Sequence, residues 1–168
     1  LDPELYGVVF CRTKMDTQRL AEDLVKAGYR ADAIHGDLSQ AARDRVMKRF
    51  KQRDLQVLIA TDVAARGIDV NDLSHVFHFA LPNDQAYYTH RSGRTARAGK
   101  KGISMSLIGF KEKYKIHNLE KGLGVEFARV DVPMADAVVE TRLRSWAMGL
   151  MAEAEGAAPP QELVDQID

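Results

Sequence analysis

The sequence predicts an α/β domain built on a parallel sheet with helices on both faces. Two patterns carry that expectation. Short apolar runs of strand length recur at 6–11, 31–35, 56–60, 75–80, 103–108 and 125–132, and stretches with helical apolar spacing lie between most of them. The run Gln56-Val57-Leu58-Ile59-Ala60 is apolar without alternation, as a strand covered on both faces should be. Strands that alternate with helices along a chain select a parallel sheet over an antiparallel one.

Taken in order, 6–11 is a first strand closed by the polar Arg12-Thr13-Lys14. Leu20, Ala21, Leu24 and Val25 recur at three and four, the stripe of a helix that Gly28 stops from the C′ position. Thr13, with Asp16 three residues on, resembles a capping box with a shorter acid. A second strand at 31–35 ends at Gly36-Asp37. Ser39 then caps a helix whose buried stripe is Val46, Met47 and Phe50. After the third strand at 56–60, His-Val-Phe-His-Phe-Ala at 75–80 forms a fourth, broken by Leu81-Pro82-Asn83-Asp84. A helix from about residue 85 leads into a run of arginines. A fifth strand at 103–108, a helix at 111–121 ended by Gly122, and a sixth strand at 125–132 complete the domain. Residues 1–133 thus form the main unit. Residues 134–168 form a helical extension and linker, with Val138, Val139, Leu143, Trp146 and Leu150 near one stripe that must bury against something. A homodimer through this stripe is one expectation.

Composition bounds the function more loosely. The 168 residues carry 24 basic and 24 acidic side chains, yet residues 145–168 hold five acids and no Lys or Arg. The body is therefore modestly basic, which suits contact with a nucleic-acid backbone without demanding it. The one cysteine, Cys11, excludes an internal disulfide and reads as a buried, inert thiol. No apolar stretch approaches the ~20 residues of a membrane span, and a cytoplasmic location is the default expectation. Leu1 is not an initiator Met, so a preceding segment is expected. His75 and His78 are an odd number of residues apart on one strand, so they face opposite ways and cannot share a metal.

The segment His90-Arg91-Ser92-Gly93-Arg94-Thr95-Ala96-Arg97-Ala98-Gly99 carries the strongest chemical signal. No acid occurs from residue 85 to 110, against five Arg and Lys. Arg94 and Arg97 are three apart, and on one helical turn they would share a face. Paired guanidiniums suit polyphosphate oxygens, or the charge that builds on a phosphoryl group in transfer. In a doubly wound sheet ligands bind outside the carboxyl ends of the strands. Arg12-Thr13-Lys14, His35-Gly36-Asp37 and Thr61-Asp62 fall there, so the motifs are expected to converge on one edge.

His-Arg-x-Gly-Arg-x-x-Arg resembles motif VI of the DEAD-box RNA helicases. Val8-Val9-Phe10-Cys11-Arg12-Thr13-Lys14 resembles motif IV of that family, and Gln40-Ala41-Ala42-Arg43 its Gln-x-x-Arg motif. Residues 58–69, Leu-Ile-Ala-Thr-Asp-Val-Ala-Ala-Arg-Gly-Ile-Asp, resemble motif V. The likeness runs from about residue 6 to 132, in the expected order. It implies the second RecA-like domain of such a helicase. By resemblance, Arg94 and Arg97 are arginine fingers at the ATP γ-phosphate, and Asp69 accepts hydrogen bonds from the ribose hydroxyls. Asp69 also has a turn or cap reading, since Ile68-Asp69-Val70-Asn71-Asp72 is rich in turn residues. Gly36, Arg43 and Thr61 match positions that hold the RNA backbone, and Arg43 has a competing surface pairing with Asp44 or Asp37. Arg66 and His90 match residues that bridge to the first domain. Arg91 receives no role. Ser92 and Ala96 stand where the family more often has Ile and Gly.

No Gly-x-x-x-x-Gly-Lys-[Ser/Thr] and no Asp-Glu-Ala-Asp occurs. The resemblance assigns those, and the Mg2+ that accompanies ATP, to a first RecA-like domain expected ahead of Leu1. Alone, this chain is expected not to hydrolyse ATP. The alternatives are a DNA helicase of the same superfamily and a non-catalytic RNA-binding or docking module.

Overall fold

Five parallel strands form one sheet in the order β2-β3-β1-β4-β5. The computed structural model describes residues 5–65, 70, 72–96, 99, 101–133 and 138. The strands are β1 (Gly7–Cys11), β2 (Ala31–Ile34), β3 (Val57–Thr61), β4 (His75–His78) and β5 (Ile103–Ser106). The helices are α1 (Lys14–Lys26), α2 (Gln40–Lys51), a short α3 (Asp62–Ala65), α4 (Gln85–Ser92) and α5 (Lys113–Leu123), with a 3-10 turn, Phe110–Glu112, ahead of α5. Phe10 lies opposite Ala60 on one side and His78 on the other. Ala60 in turn faces Ile34, and His78 faces Ser106. The carboxyl ends of all five strands are therefore level.

The central strand β1 is buried throughout, and its side chains divide the core by the period-two rule. Val8 and Phe10 join Leu58, Ala60, Ile34 and Val76 under Val46 and Phe50 of α2. Val9 and Cys11 join Ile59, Val57 and Ala33 under Ala21 of α1. Gly7 is required at the start of β1, because a Cβ there would meet the His75 carbonyl oxygen at 2.7 Å. A separate corner packs Tyr88 of α4 against Leu119 of α5 and Leu81.

The capping expectations hold. Thr13 Oγ1 accepts from the Asp16 amide and donates to its carboxylate at 2.7 Å, and Ser39 Oγ accepts from the Ala42 amide. Gly28 takes a left-handed φ of +89° just beyond α1. Three expectations are corrected. Val25 is exposed, and Thr17 with Ala21 forms the buried face of α1. Helix α5 continues through Gly122 to Leu123, and Gly124, at φ +65°, ends it. Residues 125–132 form no strand: Phe127 turns into the α4–α5 corner, edge-on to Tyr88, and its amide donates to Glu120 Oε1 instead of a ladder.

The chain divides between residues 127 and 128 into two units. The sheet and its helices lie in the first. Of the second, residues 128–133 are without regular structure, and Arg129 donates to the Asp131 carboxylate. The expected extension at 134–168 lies outside the described residues except for Val138.

Candidate functional site

Three of the sequence motifs meet at the carboxyl edge as expected. β1 opens into Arg12-Thr13-Lys14, and Lys14 Nζ donates to Asp37 Oδ2 at 2.5 Å, tying the end of β1 to the loop after β2. That hydrogen bond, first among the causes, holds the exposed Asp37 carboxyl below the usual range. Gly36 is exposed in the same loop. A Cβ placed on it meets nothing within 4 Å, and its φ is not in the left-handed range. Neither packing nor conformation requires glycine there.

Thr61 is the last residue of β3, partly exposed beside Cys11. Arg43 reaches across from the first turn of α2, and its Nη2 donates to the Ala64 carbonyl at 2.9 Å. Its guanidinium is turned to that carbonyl rather than to Asp44 or Asp37, which accept from Gln40 and Lys14. Gly36, Arg43 and Thr61 are thus grouped on the β2–β3 half of the edge.

The arginine segment does not join them. α4 begins at the carboxyl edge, where Asp84 caps it, and ends at Ser92. The chain then turns, and Thr95 bridges to Leu73 just ahead of β4. Thr95 Oγ1 donates to the Leu73 carbonyl, and the Leu73 amide donates to the Arg94 carbonyl. Arg94 therefore sits near the amino ends of β4 and β5. The physical reason is the crossover: a connection between parallel strands must return the chain to the opposite edge. The expected helical turn is also corrected, because Ala96 takes φ +56°. His90 is exposed on α4. Arg66, Asp69 and Arg97 lie outside the described residues.

Arg91, to which the motif resemblance gives no role, is held by partners from several other elements. It is 4% exposed. Its Nε and Nη2 donate to the two Asp62 oxygens, each at 2.6 Å, in a bidentate pair. Nη1 donates to the Ala80 carbonyl at 2.8 Å and lies 3.4 Å from His78 Nδ1. The guanidinium carbon stands 4.9 Å from the Phe10 ring centre. Arg91 thereby joins α4 to the first residue of α3, next to Thr61. The signal available in the sequence was the pattern alone: an Arg on the buried side of a short helix and an Asp directly after a buried strand.

His78 completes this network. Guanidinium donates only, so Nδ1 accepts and the proton is on Nε2, which faces Ser92 Oγ and Ser104 Oγ at 3.2 Å each. The ring stacks on Tyr88 at 4.6 Å. Burial first, and Arg91 second, push its pKa down to about 3. Ser92 and Ser104 also bond each other at 3.0 Å, so the serine that departs from the family pattern has polar partners built for it. Cys11 is fully buried, and burial raises its thiol to about 11, as its inert reading requires. His75 stacks on Phe77 on the other face from His78. Among the described residues no cluster of His, Cys, Asp or Glu could hold a metal, and no helix is long and apolar enough to cross a membrane. A cleft of about 250 Å³ opens between Arg12, Asp62, Asn83, Tyr87 and Arg91.

The family model described as the helicase conserved C-terminal domain matches residues 6–99. The chain belongs to the DEAD-box RNA helicases, as a C-terminal helicase domain. It is 44% identical over 153 residues to the DEAD-box ATP-dependent RNA helicase CshA of Bacillus thuringiensis (strain Al Hakam), an alignment covering 91% of this chain and 29% of that protein. The chain thus spans under a third of that relative. Its fold is similar to a DEAD-box protein of the hyperthermophile Methanococcus jannaschii, with 47% identity, a TM-score of 0.72, and coverage of 78% of this chain and 36% of the other. It is also similar to Saccharomyces cerevisiae Dbp5 bound to RNA and ADP BeF3, with 35% identity, a TM-score of 0.70, and coverage of 76% and 35%. The five-stranded parallel sheet is the RecA-like sheet of DEAD-box C-terminal domains.

Proposed function

We propose that this chain is the second half of an ATP-dependent RNA helicase, which works by closing on a first RecA-like domain. RNA backbone lies along the carboxyl edge on Gly36, Arg43 and Thr61. Arg94 and Arg97 face the γ-phosphate, Asp69 holds the ribose, and Arg66 and His90 brace the closed interface. ATP, with Mg2+ held by the first domain, supplies the binding energy for closure and a hydrolysable bond that allows reopening. The guanidiniums stabilise charge on the transferring phosphoryl group, an effect worth ~10³–10⁵ in turnover.

The observation that carries the reading is the Arg91–Asp62 pair. It fastens the RNA-facing end of β3 to the helix that leads into Arg94, which supports a mechanical link between the two. Closure is favoured only by ligands that bind the closed state better, which this arrangement permits for RNA and ATP together. Gly36 supports the RNA assignment separately: its missing Cβ leaves room for a close approach from outside the chain.

ATP hydrolysis tests the proposal. It is measured on this chain alone, on a two-domain form carrying the first domain, and on the two-domain form with Arg94→Ala, each with RNA, DNA of the same sequence, or neither. The expected result is hydrolysis by the two-domain form only, stimulated by RNA and lost in the variant. Equal stimulation by DNA would assign the chain to DNA helicases. No hydrolysis under any condition would leave an RNA-binding module.

A further inference from the structure

The carboxyl edge carries a second feature that none of the assigned roles uses. After β5 the chain folds back over this edge, with the Leu107 amide still bonded to the His78 carbonyl. It then forms the 3-10 turn and enters α5. Phe110 is 84% exposed and Tyr114 62% exposed. Phe110 opens the 3-10 turn and Tyr114 stands in the first turn of α5, so both exposed rings lie within one short stretch of chain. Lys113 Nζ lies 4.5 Å from the Phe110 ring centre, and Lys111 is exposed beside it. From 110 to 115 three lysines stand against one acid. A ring most of whose surface is in water, next to an excess of lysines, offers a base a face to stack on and cations for its phosphate.

We propose that Phe110 and Tyr114, with Lys111 and Lys113, form a stacking platform that extends the RNA track beyond Gly36, Arg43 and Thr61. This rests on the RNA reading of the carboxyl edge. Continuity places the two together. Thr61 pairs in register with Cys11, the next residue Arg12 reaches Glu112 at 3.9 Å, and Glu112 lies between Phe110 and Tyr114 in the chain. Strands are ~4.8 Å apart, so a backbone leaving Thr61 meets Arg12 after one strand spacing. The patch has what single-stranded RNA binds without regard to sequence, aromatic faces on which any base can stack and cations for phosphates. The track is therefore expected to be indifferent to sequence.

The test uses this chain and oligouridylates of about 5 and about 15 nucleotides, with binding followed by fluorescence anisotropy. Phe110→Ala/Tyr114→Ala should weaken the longer RNA about thirtyfold, from ~1 kcal/mol for each stacked base, and leave the shorter one unchanged. Lys111→Gln/Lys113→Gln should lower the log–log salt slope for the longer RNA by about 1.4, which is ~0.7 for each phosphate no longer neutralised. All four side chains are exposed, so unchanged thermal melting will show that the variants fold. Parental binding of both RNAs by both variants, while Gly36→Ala weakens both, would overturn the platform and leave the edge reading standing; the patch would then be a protein-docking surface. If the parent chain binds neither RNA, the edge reading falls and the platform with it.

Discussion

Ala96 shows how a single backbone angle explains a family preference. Its φ of +56° lies in the left-handed region, where a Cβ costs ~1–2 kcal/mol. Glycine escapes that cost and loses ~0.5–1 kcal/mol in unfolded-chain entropy. Ala96→Gly should therefore stabilise this chain by about 0.5 kcal/mol, read from the urea midpoint. Gly36 is the opposite case. With no positive φ and no neighbour within 4 Å of an added methyl, Gly36→Ala should change stability by no more than ~0.5 kcal/mol. RNA affinity should fall about tenfold, separating a ligand requirement from a folding one. These two positions also mark the limit of what was legible. That glycine suits 36 and 96 follows from the motifs, but only the backbone angle and the empty space around the Cβ say which serves the fold and which the ligand.

Between elements, the Arg91–Asp62 pair is the joint to break. An Arg 4% exposed cannot keep its charge cheaply once its carboxylate is gone, and losing one partner of a buried pair costs ~3–5 kcal/mol. The Asp62 side chain retains a third of its exposure, so the lower end applies. Asp62→Ala should thus cost about 3 kcal/mol in urea unfolding. Arg91→Lys keeps the charge but loses the bidentate fork, and should cost less while still uncoupling RNA stimulation from ATP turnover in the two-domain form. The strands and first caps were legible because they depend on local spacing: Thr13, Ser39 and the run at 56–60 each declare themselves within a few residues. Arg91 was not, because its partners Asp62, His78 and Ala80 come from other parts of the chain. The run at 125–132 failed for the same reason. Its valines read as a strand, but the Glu120 carboxylate, from the preceding helix, takes the Phe127 amide out of any ladder.

Across the whole molecule, the sheet puts the loops proposed to hold RNA at one edge and the arginine turn near the other, and the network around His78 lies between them. That placement makes global stability depend on pH in a definite direction. The native His78 is neutral with a pKa near 3, held down by burial and by Arg91, while the unfolded ring titrates near its ordinary value of 6.5. Below pH 6.5 the unfolded chain therefore binds one proton more than the native one, and stability falls with acid until the native ring itself protonates near 3. The slope for one proton approaches ~1.4 kcal/mol per pH unit, so about 2.7 kcal/mol is lost between about pH 7.5 and 4.5. Asp37 and Glu112, whose carboxyls are held low by lysines, act in the same direction but only as pH falls through the carboxylate range. Urea unfolding of the parent and of His78→Gln at about pH 7.5, 6.0 and 4.5 would measure this. The variant should lose the acid limb above the carboxylate range while keeping amide contacts to Ser92 and Ser104. An identical slope in both chains would mean that the buried imidazole is not the group whose protonation opens the sheet.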